Sequence, residues 1–213
     1  TKGDFDVMYI GTLHPFHREQ AEAALHAGKH VLVEKPVTTN YADAKALVDL
    51  AQATQRFFSE GIWTRYFPAV EEARRLLDER VIDEVMMVQA DFGFDAGDTG
   101  DSEDSDFFNP SLGGGCTNYV TVYPISHITF ALGPHPTIMS AIGSIHPDRK
   151  VDLNNSVSLA YPARKIAVAI SSVTAETPEE THIIGKKGRI TINTPAHCPT
   201  SYTLSIKNSG RGD

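Results

Sequence analysis

The sequence has 213 residues, 41% of them hydrophobic and 22% charged, which fits an ordinary globular protein with one large domain or two small ones. Its net charge of -8 argues against a nucleic-acid-binding surface, because such surfaces need clustered lysine and arginine. No apolar run is as long as a membrane span and no signal peptide opens the chain, so we expect no membrane association and a cytoplasmic location. Neither Cys116 nor Cys198 belongs to a C-x-x-C pair, which argues against a disulfide framework or a zinc finger.

The first 61 residues alternate between apolar runs and segments with helical periodicity. Ala21, Ala24 and Leu25 predict the inward face of a first helix, which Gly28 ends, and Asn40 is the expected N-cap of a second helix. Strands and helices that alternate with short connections indicate βαβ units and a parallel sheet. The expected strands span 4–12, 30–34 and 56–61, and the expected helices span 18–29 and 40–54.

The pattern changes after Trp63, so we place a domain boundary there, between residues 1–62 and 63–213. Pro68 suits the start of a helix, and a strand is expected at 84–94. The glycine-led apolar segment 113–133 predicts a helix that begins after the glycines. From about residue 136 the chain predicts a largely antiparallel sheet, with strands within 137–145, 156–162, 165–173, 181–193 and 201–207.

An acidic segment, DAGDTGDSEDSDFF at residues 95–108, carries the densest charge of the chain. A solvated loop is the simpler interpretation of such a run. A cation site is the alternative, although the segment lacks the glycine and glutamate spacing of a calcium-binding loop.

Two polar motifs follow the first two predicted strands: GTLHPFH at residues 11–17 and EKP at residues 34–36. Ligands of open α/β sheets bind at the carboxyl ends of the strands. Lys35 there can hold its ammonium near a ligand hydroxyl or lower the pKa of a neighbouring acid. Position alone favours a solvated lysine at a strand end.

Three further side chains allow a functional and a structural interpretation. His14 and His17 form an H-x-x-H pair but lack the acid and helix of a zinc motif, so we expect no metal; His14 is expected to face the crevice, and His17 to begin the helix. Tyr123 can act as a general acid or base in alcohol oxidation if an ammonium lies close to it. Its apolar helix equally suits a core tyrosine.

At this point the motifs resemble a known family. The segments DVMYIGTLHPFHREQAEAALHAGKHVLVEKP (6–36) and EGIWTRYFPAVEEARRLL (60–77) resemble the Gfo/Idh/MocA (glucose–fructose oxidoreductase / inositol dehydrogenase) family, in particular its dimeric dihydrodiol dehydrogenase branch. Residues 113–133 and 183–192 match later landmarks of the same family in the right order.

The resemblance implies an α/β fold, in which the C-terminal half of a Rossmann parallel sheet precedes an α+β domain with an open, mostly antiparallel sheet. It implies hydride transfer between a nicotinamide cofactor, NAD or NADP with NADP slightly favoured, and a CH–OH carbon of a sugar, cyclic polyol or trans-dihydrodiol. It also implies a homodimer formed through the open sheet. Lys35 and Tyr123 are the implied catalytic residues, and Pro36 is expected to follow a cis bond. The implied cofactor-binding residues are Gly11, Thr12, His14, His17, Glu34, Lys35, Pro36, Trp63 and Arg65.

The sequence departs from the family pattern in three places. The glycine-rich phosphate-binding turn is expected before Thr1, and further strands are expected after about Lys207, so the chain is expected to be truncated at both ends. Tyr119 and Thr121 stand where the family usually carries an acid and a glycine. These departures leave a second hypothesis, a truncated or degenerate family member that acts without catalysis as a dimerising or interaction domain.

Overall fold

The computed structural model describes residues 3–96 and 105–207, which form two β-sheets with helices packed against them. The first sheet and its helices comprise β1 (Val7–Ile10), α1 (His17–His26), β2 (His30–Val33), α2 (Tyr41–Ala53) and β3 (Phe58–Glu60). The second comprises α3 (Pro68–Asp78), β4 (Val85–Gly93), α4 (Val122–Leu132), β5 (Ile138–Ile145), β6 (Asp152–Tyr161), β7 (Lys165–Ser172), β8 (Thr181–Gly185), β9 (Gly188–Ile192) and β10 (Tyr202–Ile206).

The first sheet has the strand order β1-β2-β3, and both strand pairs are parallel, as the alternating pattern predicts. Local signals set the helix ends: Asn40 accepts a hydrogen bond from the backbone of Asp43 at 3.0 Å, and Gly28 adopts a left-handed φ of 74° after α1. Because all three strands run in the same direction, their carboxyl ends meet at one edge. The core between sheet and helices contains Ile10, Ala21, Leu25, Val31, Val33 and Leu47.

The second sheet has the strand order β10-β9-β8-β4-β7-β6-β5. Only the β4–β7 pair is parallel, so the sheet is mostly antiparallel, as expected. Helices α3 and α4 bury one face, where Leu76 and Ile128 pack against residues such as Val88. Within residues 3–96 and 105–207, side chains on the opposite face, such as Ile142 and Ile166, stay exposed.

The glycine-led segment departs from a regular helix at its start. Residues Thr117–Thr121 form a π-helical turn before α4 begins at Val122. The carboxylate of Asp152 on β6 accepts hydrogen bonds from the backbone and hydroxyl of Thr117, at 2.8 and 2.7 Å, and so holds the first residue of this turn. Sequence periodicity does not distinguish a π-turn from an α-helix.

Two sequence expectations, on the acidic segment and on membrane association, are limited by the residues that the structure describes. Residues 97–104 of the acidic segment lie outside the described residues, so its interpretation stays a prediction. Within 3–96 and 105–207, no helix combines the length and the apolar character needed to cross a membrane.

Candidate active site

Lys35 lies where β2 ends and faces the π-helical turn. The Lys35–Pro36 peptide bond is cis, as expected. The Lys35 Nζ donates to the carbonyl oxygen of Tyr119 at 2.9 Å and lies 5.2 Å from the ring centroid of Tyr123. Burial lowers the pKa of the lysine, while the nearby carboxylates of Glu34 and Glu60 act in the opposite direction. The ammonium is therefore a partly desolvated cation held close to a phenol ring.

Tyr123 lies in the first turn of α4 and is only 7% exposed. Its hydroxyl accepts a hydrogen bond from the indole Nε1 of Trp63 at 3.0 Å. Burial raises the pKa of the phenol, and the hydrogen bond from Trp63 opposes this shift. Trp63 itself is 48% exposed, so the hydrogen-bonded pair reaches the protein surface through the indole.

Glu34 is held by two hydrogen bonds beside Lys35. Its Oε1 accepts from the hydroxyl of Tyr9 at 2.7 Å, and its Oε2 accepts from the Lys35 backbone at 3.1 Å. Gly11 and Thr12 are exposed at the end of β1, and the Thr12 hydroxyl donates to Gln20 Oε1 at 3.0 Å. These expected cofactor residues therefore lie at one edge of the parallel sheet.

His14 was expected to face the crevice, and the structure gives it protein partners. Its ring lies 4.4 Å from the ring of Tyr119, and its Nδ1 lies 3.1 Å from the carbonyl oxygen of Gly113. Burial lowers its pKa, so the ring stays neutral to lower pH than an ordinary histidine. His14 connects the end of β1 to the glycine-led segment.

His17 is fully buried at the start of α1. Its Nδ1 lies 2.9 Å from the carbonyl oxygen of Pro36, and its Nε2 lies 2.8 Å from that of Thr12. The ring thus joins the ends of β1 and β2 from inside the protein. Because its nitrogens face backbone carbonyls, we propose a positioning role for His17 in place of the expected direct cofactor contact.

Arg65 lies in the 3-10 turn Trp63–Tyr66 and points toward α4. Its guanidinium donates to the Ser126 hydroxyl at 2.8 Å, the Ser126 carbonyl at 3.0 Å and the Thr129 hydroxyl at 2.7 Å. Burial lowers its pKa. Arg65 therefore fixes the turn that carries Trp63, and it also lines a cleft of about 480 Å³ between this turn and α4.

Tyr119 stands where the family resemblance expects an acid. Its hydroxyl donates to Asp106 Oδ2 at 2.9 Å, and its ring stacks on Phe107 with centroids 4.2 Å apart. Burial raises the pKa of this phenol, as does its hydrogen bond with Asp106. Thr121 is buried and exchanges hydrogen bonds with the Asn155 side chain. A carboxylate is thus present near the motif, but Asp106 supplies it from a separate segment.

Sequence reasoning missed a group of residues around Tyr123. Phe92 on β4 lies 5.4 Å from the Tyr123 ring, and His197 lies 5.7 Å from it. His197 in turn pairs with Glu179. The only sequence signal was a His-Cys pair flanked by prolines at 195–199, which without a fold points to no site.

The described ranges contain no group of three or more histidine, cysteine, aspartate or glutamate side chains placed to hold a metal ion.

Two family models together match most of the chain. Residues 1–62 match the model described as an oxidoreductase family with an NAD-binding Rossmann fold. Residues 70–191 match the GFO/IDH/MocA C-terminal domain.

Similar proteins and structures agree with these matches. The chain is 33% identical over 205 residues to trans-1,2-dihydrobenzene-1,2-diol dehydrogenase of Xenopus tropicalis, covering 96% of this chain and 60% of the relative. The same enzyme of Danio rerio is 35% identical, covering 95% and 59%. The chain thus spans about 60% of the length of these curated relatives.

Among solved structures, KijD10, a 3-ketoreductase from Actinomadura kijaniata in complex with NADP and TDP-benzene, matches with a TM-score of 0.82 at 25% identity, covering 97% of this chain and 64% of that one. A levoglucosan dehydrogenase in complex with NADH and levoglucosan matches with a TM-score of 0.86 at 21% identity, covering 99% and 60%, and shows the fold alone. The sequence matches and the shared fold lead to one conclusion: the chain belongs to the GFO/IDH/MocA oxidoreductase family.

Proposed function

We propose that this chain carries the nicotinamide and substrate side of an NAD(P)-dependent oxidoreductase that acts on a CH–OH carbon of a sugar, cyclic polyol or trans-dihydrodiol. The observation that carries the proposal is the convergence of Lys35, Tyr123 and Trp63. The lysine ammonium lies 5.2 Å from the ring of a buried tyrosine whose hydroxyl accepts a hydrogen bond from an exposed indole. A cation and a phenol at one crevice are the groups that proton transfer to an alcohol oxygen requires.

The strand ends fit a nicotinamide cofactor, because three parallel strands direct their carboxyl ends and polar side chains to one edge. Gly11, Thr12, Glu34 and Lys35 would hold it there, with Trp63 at the opposite wall. When bound, NAD(P) supplies the hydride acceptor or donor. We assign cofactor binding to residues 1–62 and substrate binding and dimerisation to 63–213, and we keep NADP as the expected preference.

Tyr123 moves the proton in this proposal. Because burial raises its pKa, the phenol is protonated near neutral pH and can donate to a carbonyl oxygen during reduction. During oxidation the phenolate form of the same oxygen accepts the hydroxyl proton. In both directions the Lys35 ammonium and the Trp63 N–H would stabilise the phenolate, which is formed in reduction and consumed in oxidation.

The test compares Tyr123→Phe with Tyr41→Phe in the full-length natural protein. Tyr41 is a matched control, because it is 80% exposed on α2. Tyr123→Phe is expected to lower turnover of a cyclic diol with NAD(P) by about 10²–10⁴-fold and to leave cofactor binding, read by fluorescence titration with NADPH and NADH, unchanged. Equal turnover in both variants contradicts the role of Tyr123, and wild-type protein that binds neither dinucleotide contradicts the proposed function.

We propose a second role, in which the chain pairs with another copy of itself. The exposed face of the seven-stranded sheet supports this role. The register aligns two rows across three strands: Ile138 is opposite Ala160, which is opposite Ile166, and Ile142 is opposite Ser156, which is opposite Ile170. We call the four isoleucines of these rows the open face: Ile138, Ile142, Ile166 and Ile170.

The exposed fractions of these side chains run from 46% for Ile170 to 77% for Ile142. Contiguous apolar surface of this kind marks an interaction site. A flat sheet face can pair with its own copy about a two-fold axis, so we propose a homodimer. The cytoplasmic location expected from the sequence is part of the same proposal.

A further inference from the structure

A histidine with an oriented ring lies beside Tyr123. The His197 ring stacks on Phe92 with centroids 4.5 Å apart and an interplanar angle of 4°. Its centroid lies 5.7 Å from that of Tyr123 and 6.3 Å from that of Trp63. His197 therefore lies directly beside the proposed acid/base and close to Trp63.

The partners of the two ring nitrogens define what His197 presents to this space. Its Nδ1 is hydrogen-bonded to the carboxylate of Glu179, so this nitrogen carries a proton. Its Nε2 lies 3.3 Å from the Sγ of Cys198. Burial raises the pKa of the Cys198 thiol, as does the charge of Glu179, so the sulfur keeps its proton and acts as a weak donor. In the neutral ring, Nε2 therefore offers a lone pair that only a weak donor occupies.

Glu179 is itself held in an unusual conformation. It has a left-handed φ of 57°, which non-glycine residues rarely adopt. Its backbone N–H donates to Asp91 Oδ2 at 2.6 Å, and its carbonyl accepts from the Ala196 backbone at 3.0 Å. Backbone strain of this kind persists where the surrounding structure fixes it, often at ligand-binding sites. The fixed carboxylate orients the His197 ring.

We propose that His197 Nε2 accepts a hydrogen bond from a second hydroxyl of the substrate while the reacting hydroxyl lies at Tyr123. The inference rests on the proposed function and narrows it to substrates with two neighbouring hydroxyls on one ring. The side chains of Trp63 and Phe92 provide apolar walls, and neither can accept a strong hydrogen bond. His197 is thus a substrate-contact residue that selects for a hydroxyl donor.

Displacement of the thiol favours this arrangement. A hydroxyl is a stronger donor than an S–H group, so a substrate hydroxyl replaces Cys198 at Nε2 with a gain in hydrogen bonding. A methyl ether at the same position has no proton to donate, and a simple alcohol leaves Nε2 with its weak partner. A comparison of a diol, its methyl ether and a simple alcohol therefore isolates the hydrogen bond to His197 Nε2.

The experiment measures kcat and KM of the full-length natural protein on trans-cyclohexane-1,2-diol, trans-2-methoxycyclohexanol and cyclohexanol. We expect the wild type to prefer the diol by about tenfold in kcat/KM, mainly through KM, which is the typical effect of one hydrogen bond. His197→Phe retains an aromatic ring beside Phe92 and is expected to remove the preference for the diol. Glu179→Gln keeps the size of the side chain and is expected to lower the preference two- to fivefold, about the effect of losing one orienting hydrogen bond.

His182→Phe is the matched control, because His182 pairs with Glu180 at 3.3 Å on β8 and touches neither Tyr123 nor Trp63 in the described contacts. Its preference for the diol is expected to equal that of the wild type. If both His197→Phe and Glu179→Gln keep the full preference for the diol, the role of His197 is contradicted, while the proposed function is not. Wild-type protein that oxidises none of the three compounds contradicts the proposed function and the inference with it.

Discussion

Replacing Lys35 by methionine tests the electrostatic basis of the proposed site. The ammonium lies 5.2 Å from the centroid of the Tyr123 ring. With an effective dielectric constant of about 20, a unit positive charge at this distance interacts with negative charge on the ring by about 3 kcal/mol. Solvent at the exposed Trp63 screens part of this energy. We therefore expect Lys35→Met to raise the Tyr123 pKa, because the anionic form loses its neighbouring cation.

The change is read through kcat of the full-length natural protein, which is expected to fall about 10- to 100-fold, the effect of losing about 1.4–2.7 kcal/mol of phenolate stabilisation. Lys45→Met is the matched control, because Lys45 lies on α2 and pairs with Asp49 at 2.6 Å, away from the crevice.

If Lys35→Met and Lys45→Met both keep the wild-type kcat, the ammonium does not stabilise the phenolate. Lys35 would then only anchor the π-helical turn through the Tyr119 carbonyl.

Three further predictions concern stability and assembly. Burial lowers the pKa of His127 from 6.5 to about 4, so below pH 6.5 the unfolded state binds a proton that the folded state does not. The free energy of unfolding is therefore expected to fall by up to about 3 kcal/mol between pH 6.5 and 4. Urea unfolding of His127→Gln should show a flatter pH dependence, and a pH dependence identical to that of the wild type contradicts this. His17→Leu removes the ring N–H that donates to the carbonyl of either Thr12 or Pro36, because a neutral imidazole carries one N–H. It should cost about 1–3 kcal/mol in urea unfolding, whereas an unchanged midpoint argues against the positioning role of His17. Ile142→Asp places a charge on the open face and should halve the mass measured by light scattering, while a retained dimer mass places the interface elsewhere.

Much of the fold follows from short-range patterns. The alternation of strands and helices up to β3 predicts the parallel sheet, because each crossover has one favoured hand. Asn40 caps α2 and Pro68 begins α3, as expected, since each depends only on residues within one helical turn. Lys35 and Tyr123 were already candidates from their positions, and the family resemblance added their catalytic roles, which stay predictions that the observed proximity supports.

Other features escaped sequence reasoning because they depend on residues far apart in the chain. The order of the seven strands places β4 between β7 and β8, which no local pattern encodes. The resemblance places His17 at the cofactor, yet only packing shows that the ring turns inward to two carbonyls. Glu179 and His197 come from separate loops, so their pairing required the folded chain.

The sequence by itself determined the fold class, the helix ends and the motifs around Lys35, because propensity, capping and periodicity act over a few residues. Only the tertiary structure decided which groups meet. The Lys35 ammonium reaches the Tyr119 carbonyl across 84 positions of the chain, and the Trp63 indole reaches the Tyr123 hydroxyl across 60. Such contacts arise when the two sheets pack and polar groups find partners away from water, a selection that residue spacing does not record.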